Sequence, residues 1–214
     1  MIRGVFFDLD GTLFDTVKDL LTTYRHVFAR MGAVFDPAKL RIGPPLVESL
    51  KECKPGITPE EITDAVAAFK AFYDSCGFPE TTAYDGIPEA LAALYASGIK
   101  LFIATNKRLA PTLKILELRG VMPYFTDVYA TDSITERKVT KAEYLQMAME
   151  KHGLSPENCL MVGDTCLDVE AGHKAGLRVV GVAWGYDENG AMAAAGPEWV
   201  IRHAGELATL VKNL

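Results

Sequence analysis

The chain has 214 residues, 49% of them hydrophobic, which is enough for one large domain or a core with a smaller insertion and needs no covalent staple to fold. Its net charge of −6 argues against nucleic acid or an anionic membrane surface, because Lys and Arg must neutralise phosphates there; a small molecule is the expected partner. No run approaches the ~18 apolar residues of a membrane span and no signal peptide is legible, so a cytoplasmic protein is expected, as a monomer or homodimer.

The first apolar run, Val5-Phe6-Phe7, has the composition of a buried strand, yet Asp8 and Asp10 follow it at once. Burying an ionised carboxylate costs several kcal/mol unless a cation pairs with it, so something cationic is expected at this strand's end. From about Thr16 to Tyr84 no strand is legible. Leu20 to Met31 and Glu60 to Cys76 carry amphipathic helical spacing, and the turns Asp36-Pro37, Gly43-Pro44-Pro45 and Lys54-Pro55-Gly56 interrupt the interval.

After it the pattern alternates. Ile87, Ala90, Leu91 and Leu94 predict a helix ending at Gly98, and Lys100 to Thr105 predicts a strand. A helix with Leu109, Leu113 and Leu116 ends at Gly120, followed by a strand over Asp127 to Ala130. A third helix, with Tyr144, Leu145, Ala148 and Met149, ends at Gly153. Strands are then predicted at Cys159 to Gly163 and Val179 to Ala183, with a short one at Trp199 to Ile201 and a final helix from about Gly205. Strand-helix alternation of this length implies an α/β fold, a doubly wound Rossmann-like parallel sheet. The expected domains are a core of residues 1–15 and 85–214 and an inserted helical cap of residues 16–84.

In an open parallel sheet, ligands bind beyond the carboxyl ends of the strands. Strand 1 ends in Asp8 and Asp10, the second in Thr105-Asn106-Lys107, and the fourth in Gly163-Asp164-Thr165-Cys166-Leu167-Asp168. Acidic oxygens gathered at one rim repel one another unless a hard divalent cation neutralises them, and an oxygen-only site suits Mg²⁺. The four cysteines, Cys53, Cys76, Cys159 and Cys166, form no zinc-type cluster and are expected as free thiols in a reducing compartment. No GxxxxGK[ST] occurs, which excludes a P-loop.

Asp8-Leu9-Asp10-Gly11-Thr12-Leu13, then Thr105-Asn106, a lysine opening a helix, and Gly163-Asp164-x-x-x-Asp168 resemble the four ordered motifs of the haloacid dehalogenase superfamily, phosphoglycolate-phosphatase-like group. The resemblance spans nearly the whole chain, and residues 16–84 match that group's cap. It implies Mg²⁺-dependent hydrolysis of a small phosphomonoester, with phosphoglycolate as first candidate, through an aspartyl-phosphate. Asp8 would be the nucleophile and Asp10 the general acid and base, while Asp8, the Asp10 carbonyl and Asp164 would hold the metal. The superfamily's dehalogenases lack the second aspartate, so Asp10 favours phosphoryl chemistry.

The Thr105 hydroxyl and Asn106 amide would hold phosphate oxygens, and Asp168 would act behind them, on metal-bound water or the catalytic lysine. For that lysine Lys141 is preferred and Lys138 is the alternative, since this chain lacks the Lys-Pro many relatives carry. Arg41, in the turn leading to Pro44 and Pro45, is a candidate for a second anionic group on the substrate. Trp184 and Tyr186, near the same rim, are expected in core or subunit packing in preference to substrate stacking, and His26, His152, His173 and His203 are assigned no chemistry. Two rivals remain: a sugar-phosphate mutase of the β-phosphoglucomutase type, and a non-catalytic Mg²⁺ and phosphate-binding module.

Overall fold

The structure, a computed structural model, describes the chain except residues 135, 136, 138 and 188. It divides into two compact units, Met1–Asp15 with Ala83–Leu214, and Thr16–Thr82. The second unit contains α1 (Val17–Arg30), α2 (Leu46–Cys53) and α3 (Pro59–Ser75). A run of aromatic contacts forms its interior: Tyr24 stacks on Phe35 and meets Phe69 edge-on, Phe69 reaches Tyr73, and Tyr73 reaches Phe78. Asp19 is buried on α1, where its carboxylate accepts the Thr81 hydroxyl at 2.7 Å.

The helix α3 starts where Thr58 and Glu61 satisfy each other's backbone N–H groups, the reciprocal arrangement that stops a helix fraying. The helix α2 was not legible in the sequence. Its eight residues lie between a Pro-rich turn and Lys54-Pro55-Gly56, too short a stretch for periodicity to stand out.

The first unit holds one sheet of six parallel strands: β1 (Gly4–Phe7), β2 (Lys100–Thr105), β3 (Phe125–Ala130), β4 (Cys159–Gly163), β5 (Arg178–Val182) and β6 (Trp199–Ile201). Their order across the sheet is β3-β2-β1-β4-β5-β6. Around it lie α4 (Ile87–Ala96), α5 (Leu109–Leu118), α6 (Lys141–His152), α7 (Cys166–Lys174), α8 (Ala191–Ala194) and α9 (Gly205–Lys212). The edge strand β3 begins two residues before its sequence-based start, at Phe125. A two-residue strand at Thr82–Ala83 falls inside the interval expected to hold none, and so short a strand leaves no alternation to read.

Central β1 is completely buried, which explains its unbroken apolar run. Phe7 lies opposite Ile103 of β2 and Val162 of β4, and Phe6 stacks on Phe102 with ring centroids 4.7 Å apart. From β1 the chain builds outward through β2 and β3, then returns to β4 on the other side. The order of strands therefore reverses between β1 and β4, and a crevice is expected at their carboxyl ends.

Behind that crevice α7 lies close against β4 and β5, and Gly172 makes the approach possible. A Cβ there would stand 2.5 Å from Val179 Cγ2 and 3.1 Å from Met161 Cβ. Gly172→Val should therefore lower the free energy of unfolding by about 1–3 kcal/mol through overpacking. A fall in the urea midpoint with an unchanged slope would show it, and an unchanged midpoint would contradict this packing.

Candidate active site

Several segments of the first unit meet at the β1/β4 switch point. Asp8 directly follows β1, and its N–H donates to the carbonyl of Val162, so the sheet ladder still sets the backbone where the side chain turns inward. Gly11, at φ +83°, then folds the chain back, with its N–H donating to the Phe14 carbonyl. Only glycine occupies that conformation cheaply, and a Cβ there would strike Asp164 Oδ2. From β4 comes Asp164, fully buried, with Asp168 one helical turn further on. Gly163 leaves room for the Asp168 side chain to lie over the strand end.

The start of α6 also reaches the site. Thr140 caps this helix: its N–H donates to the Glu143 carboxylate at 2.8 Å, and its hydroxyl accepts from the Glu143 N–H. The hydrogen bond from the Thr140 N–H, with Arg137 beside it, holds the Glu143 carboxyl down at about 2. The cap fixes Lys141 as the first helical residue. An ammonium there opposes the helix dipole, so its burial has to be compensated by anions. Its Nζ lies 2.6 Å from Asp168 Oδ1 and 3.1 Å from Asp8 Oδ1. Burial alone would lower the Lys141 pKa, but these two carboxylates outweigh it and hold the ammonium above its ordinary range.

Asp8, Asp164 and Asp168 each offer an oxygen within 4.8 Å of the others, and all three are buried. Burial raises Asp8 from 3.8 to about 6; Lys141 opposes the rise, and Asp168 and Asp10 add to it. Asp164 is pushed well above the usual carboxylate range by burial and then by Asp168 and Asp8, against hydrogen bonds from the Tyr186 N–H and Thr12 hydroxyl. One ammonium among three carboxylates leaves the cluster short of positive charge. Asp8 Oδ1 faces Lys141 but accepts no well-formed hydrogen bond. The cluster could therefore hold a metal ion.

The two Asp168 oxygens have separate tasks. One receives Lys141; the other caps α7, accepting the Thr165 N–H at 3.0 Å and the Thr165 hydroxyl at 2.7 Å. Asp10 is only partly buried, and both its oxygens accept from Lys107 Nζ, at 2.8 and 3.1 Å. Lys107, whose side chain is 5% exposed, was named in the sequence only as the residue after Thr105-Asn106. The available signal was spacing, since Lys107 stands two residues beyond Thr105 and an extended chain turns both to one side.

Thr105 is buried, its Oγ1 accepting the Lys107 N–H at 3.2 Å and its hydroxyl hydrogen-bonded to Asp8. Asn106 sits half-buried between them. Lys138 lies outside the described residues. Arg41 belongs to the second unit, with its guanidinium 3.6 Å from Glu52 and its carbonyl accepting the Ser49 hydroxyl. Beyond the packing expected of them, Trp184 and Tyr186 make directed contacts: Trp184 Nε1 donates to the Thr12 carbonyl, the Tyr186 N–H to Asp164, and the Tyr186 hydroxyl to Asp15.

The family model described as haloacid dehalogenase-like hydrolase matches residues 5–182. A phosphoglycolate phosphatase of Photobacterium profundum is 32% identical over 222 residues, covering 99% of this chain and 96% of that protein. A tyrosine-protein kinase, PtkA, of Mycobacterium tuberculosis is 34% identical over 185 residues, covering 85% of this chain but only 62% of the kinase. The crystal structure of a predicted phosphatase from Clostridium acetobutylicum superposes with a TM-score of 0.89 at 28% identity, covering 100% of both chains.

The raised Asp8 pKa has a consequence for stability without metal. The folded state holds this proton more tightly than the unfolded chain, so Asp8's contribution is fully present below pH 3.8 and is lost as pH rises through about 6. A shift of this size corresponds to roughly 3 kcal/mol. In chelator, Asp8→Asn should therefore be more stable than the natural protein above pH 6, by on the order of 2–3 kcal/mol, with the two converging below pH 4. Urea unfolding across that range tests this, and a pH-independent difference would contradict it.

Proposed function

Because the chain belongs to the haloacid dehalogenase-like hydrolase family and is a phosphatase-type enzyme, we propose that it hydrolyses a small phosphomonoester with Asp8 as nucleophile and phosphoglycolate as first candidate substrate. The observation that carries this is a doubled acid-lysine pairing at one strand end. Asp8 lies 3.1 Å from Lys141 and Asp10 lies 2.8 Å from Lys107, two residues apart on one chain. Two carboxylates held separately by two cations can take different roles in one reaction.

In the first step an Asp8 carboxylate oxygen attacks phosphorus, and the bond to the ester oxygen breaks. Asp10 delivers a proton to the departing alkoxide, so the alcohol leaves neutral. In the second step Asp10, now a carboxylate, removes a proton from the water that attacks the aspartyl-phosphate. Phosphate departs and Asp8 is restored. Lys141 holds the Asp8 carboxylate in place and offsets negative charge on the transferring group, with Asp168 fixing the lysine in turn. Thr105 and Asn106 are assigned to the phosphate oxygens, and Asp15 and Thr16 to the join between the units.

The donor set fits Mg²⁺: every candidate ligand is an oxygen, and Asp8 keeps an oxygen without a well-formed hydrogen bond. Asp8, Asp164 and the Asp10 carbonyl would hold the ion, while Asp168 has both oxygens committed to Lys141 and Thr165. When bound, the ion supplies Lewis-acid neutralisation of the phosphoryl group. Residues 16–82 would serve as the cap that selects the leaving group, with Arg41 for a second anionic group on the substrate. Among the described residues no helix is long and apolar enough to cross a membrane, and the four cysteines are free. We infer a cytoplasmic enzyme, monomer or homodimer, acting on a phosphorylated metabolite and not on nucleic acid.

The test is phosphate release from phosphoglycolate, sugar phosphates, nucleoside monophosphates and pyrophosphate, with Mg²⁺ and with chelator. Release should require Mg²⁺ and fall below about 0.1% of the natural rate in folded Asp8→Asn. Full activity of that variant would remove Asp8 as nucleophile. Isomerisation of a sugar phosphate that depends on a sugar bisphosphate would instead favour the mutase. Lys141→Met should lower kcat by about 10²–10³-fold. Lys107→Met should slow an alkyl phosphate roughly 10-fold or more, and p-nitrophenyl phosphate less, because a good leaving group needs little protonation. Equal losses on both substrates would disconnect Lys107 from Asp10.

A further inference from the structure

The segment after β5, Trp184-Gly185-Tyr186, makes three directed contacts with the site. The Tyr186 N–H donates to Asp164 Oδ2 at 2.7 Å. Trp184 Nε1 donates at 3.1 Å to the carbonyl of Thr12, whose own hydroxyl donates to Asp164 Oδ1 at 2.9 Å. The Tyr186 hydroxyl, at the far end, donates to Asp15 at 2.8 Å. Between the aromatics, a Cβ on Gly185 would collide with both Asp164 Cβ and the Gly11 carbonyl. Gly185 is required here for space.

We propose that Trp184, Gly185 and Tyr186 form a positioning element for Asp164, holding its carboxylate in the one orientation that presents a lone pair to a divalent cation. The proposal rests on the metal-dependent phosphatase role assigned above. A carboxylate oxygen has two lone pairs. Among the described residues each Asp164 oxygen accepts from one donor, Thr12 or Tyr186, which leaves it a second lone pair. With both oxygens tethered the group cannot rotate about its Cβ–Cγ bond, so its free lone pairs have fixed directions before any ion arrives. The donors are neutral, so they orient the charge without cancelling it.

The Trp184 contact acts through Thr12. By anchoring the Thr12 peptide it fixes the hydroxyl that reaches Asp164, and it binds the β5 loop to the turn carrying Asp8 and Asp10. The metal ligands from β1 and β4 are thereby joined through a third strand's loop. Such partners behind a metal ligand typically change affinity 10–100-fold when lost.

The experiment is calorimetric titration of the full chain with Mg²⁺, repeated with Mn²⁺ and without substrate, on the natural protein, Gly185→Ala and Trp184→Phe. Trp184→Phe keeps an aromatic ring at the position and removes the indole N–H donor together with part of the indole. Gly185→Ala should raise the dissociation constant 10–100-fold and Trp184→Phe about 3–10-fold, both variants remaining folded in chelator by circular dichroism. If Gly185→Ala fails to fold, Trp184→Phe decides alone. A loss of thermal stability in chelator with a dissociation constant within twofold of the natural protein would overturn the proposal and leave the phosphatase role standing. Absence of binding by the natural protein at millimolar metal would overturn both.

Discussion

Three carboxylates are buried within 4.8 Å of one another, and the first unit is organised around that repulsion. Like charges in a low-dielectric site are tolerated only with nearby compensation. Lys141 supplies part of it, and each carboxylate is also engaged by a neutral donor: Asp8 by Thr105, Asp164 by Thr12 and Tyr186, Asp168 by Thr165. Even so Asp8 and Asp164 are held above the normal carboxylate range. The deficit of positive charge makes the cluster a candidate site for a cation, and burial keeps Asp8 apart from bulk water.

The local folding devices around the cluster each have a counterpart in the chemistry. The Thr140–Glu143 cap makes Lys141 the first residue of α6, and without it the ammonium would have no fixed origin. The Asp168 carboxylate ends one helix and receives a lysine from another, so capping and charge placement share one side chain. Gly11 and Gly185 let two loops approach Asp164 more closely than any side chain would allow. The geometry of the candidate site is built from ordinary helix starts and turns, placed where the strand order reverses.

Asp10 stands somewhat apart from this cluster. It is more exposed than Asp8, and its partner is Lys107, from the end of β2. Two aspartates separated by a single leucine thus have different neighbours and different burial. These environments suit the roles proposed for them, since an acid-base group must exchange protons with a leaving group and with water whereas a nucleophile is better shielded.

Most of the fold was legible because its signals are local. The apolar runs of β1, β2 and β4, the glycines ending α4, α5 and α6, and the Pro-rich turns of the helical unit depend on nearest neighbours along the chain. Short elements such as α2 and Thr82–Ala83 were not, because they carry too few residues for a period. The sequence by itself determined that carboxylates would end β1 and β4 and that they would call for positive charge nearby, since burial and charge follow from residue type. Only the tertiary structure decided that Lys107 faces Asp10 and that Trp184 and Tyr186 serve Thr12 and Asp164. Those pairings span 97 residues for Lys107 and Asp10 and 172 for Trp184 and Thr12, and no periodicity encodes which distant side chains a sheet will bring within hydrogen-bond reach.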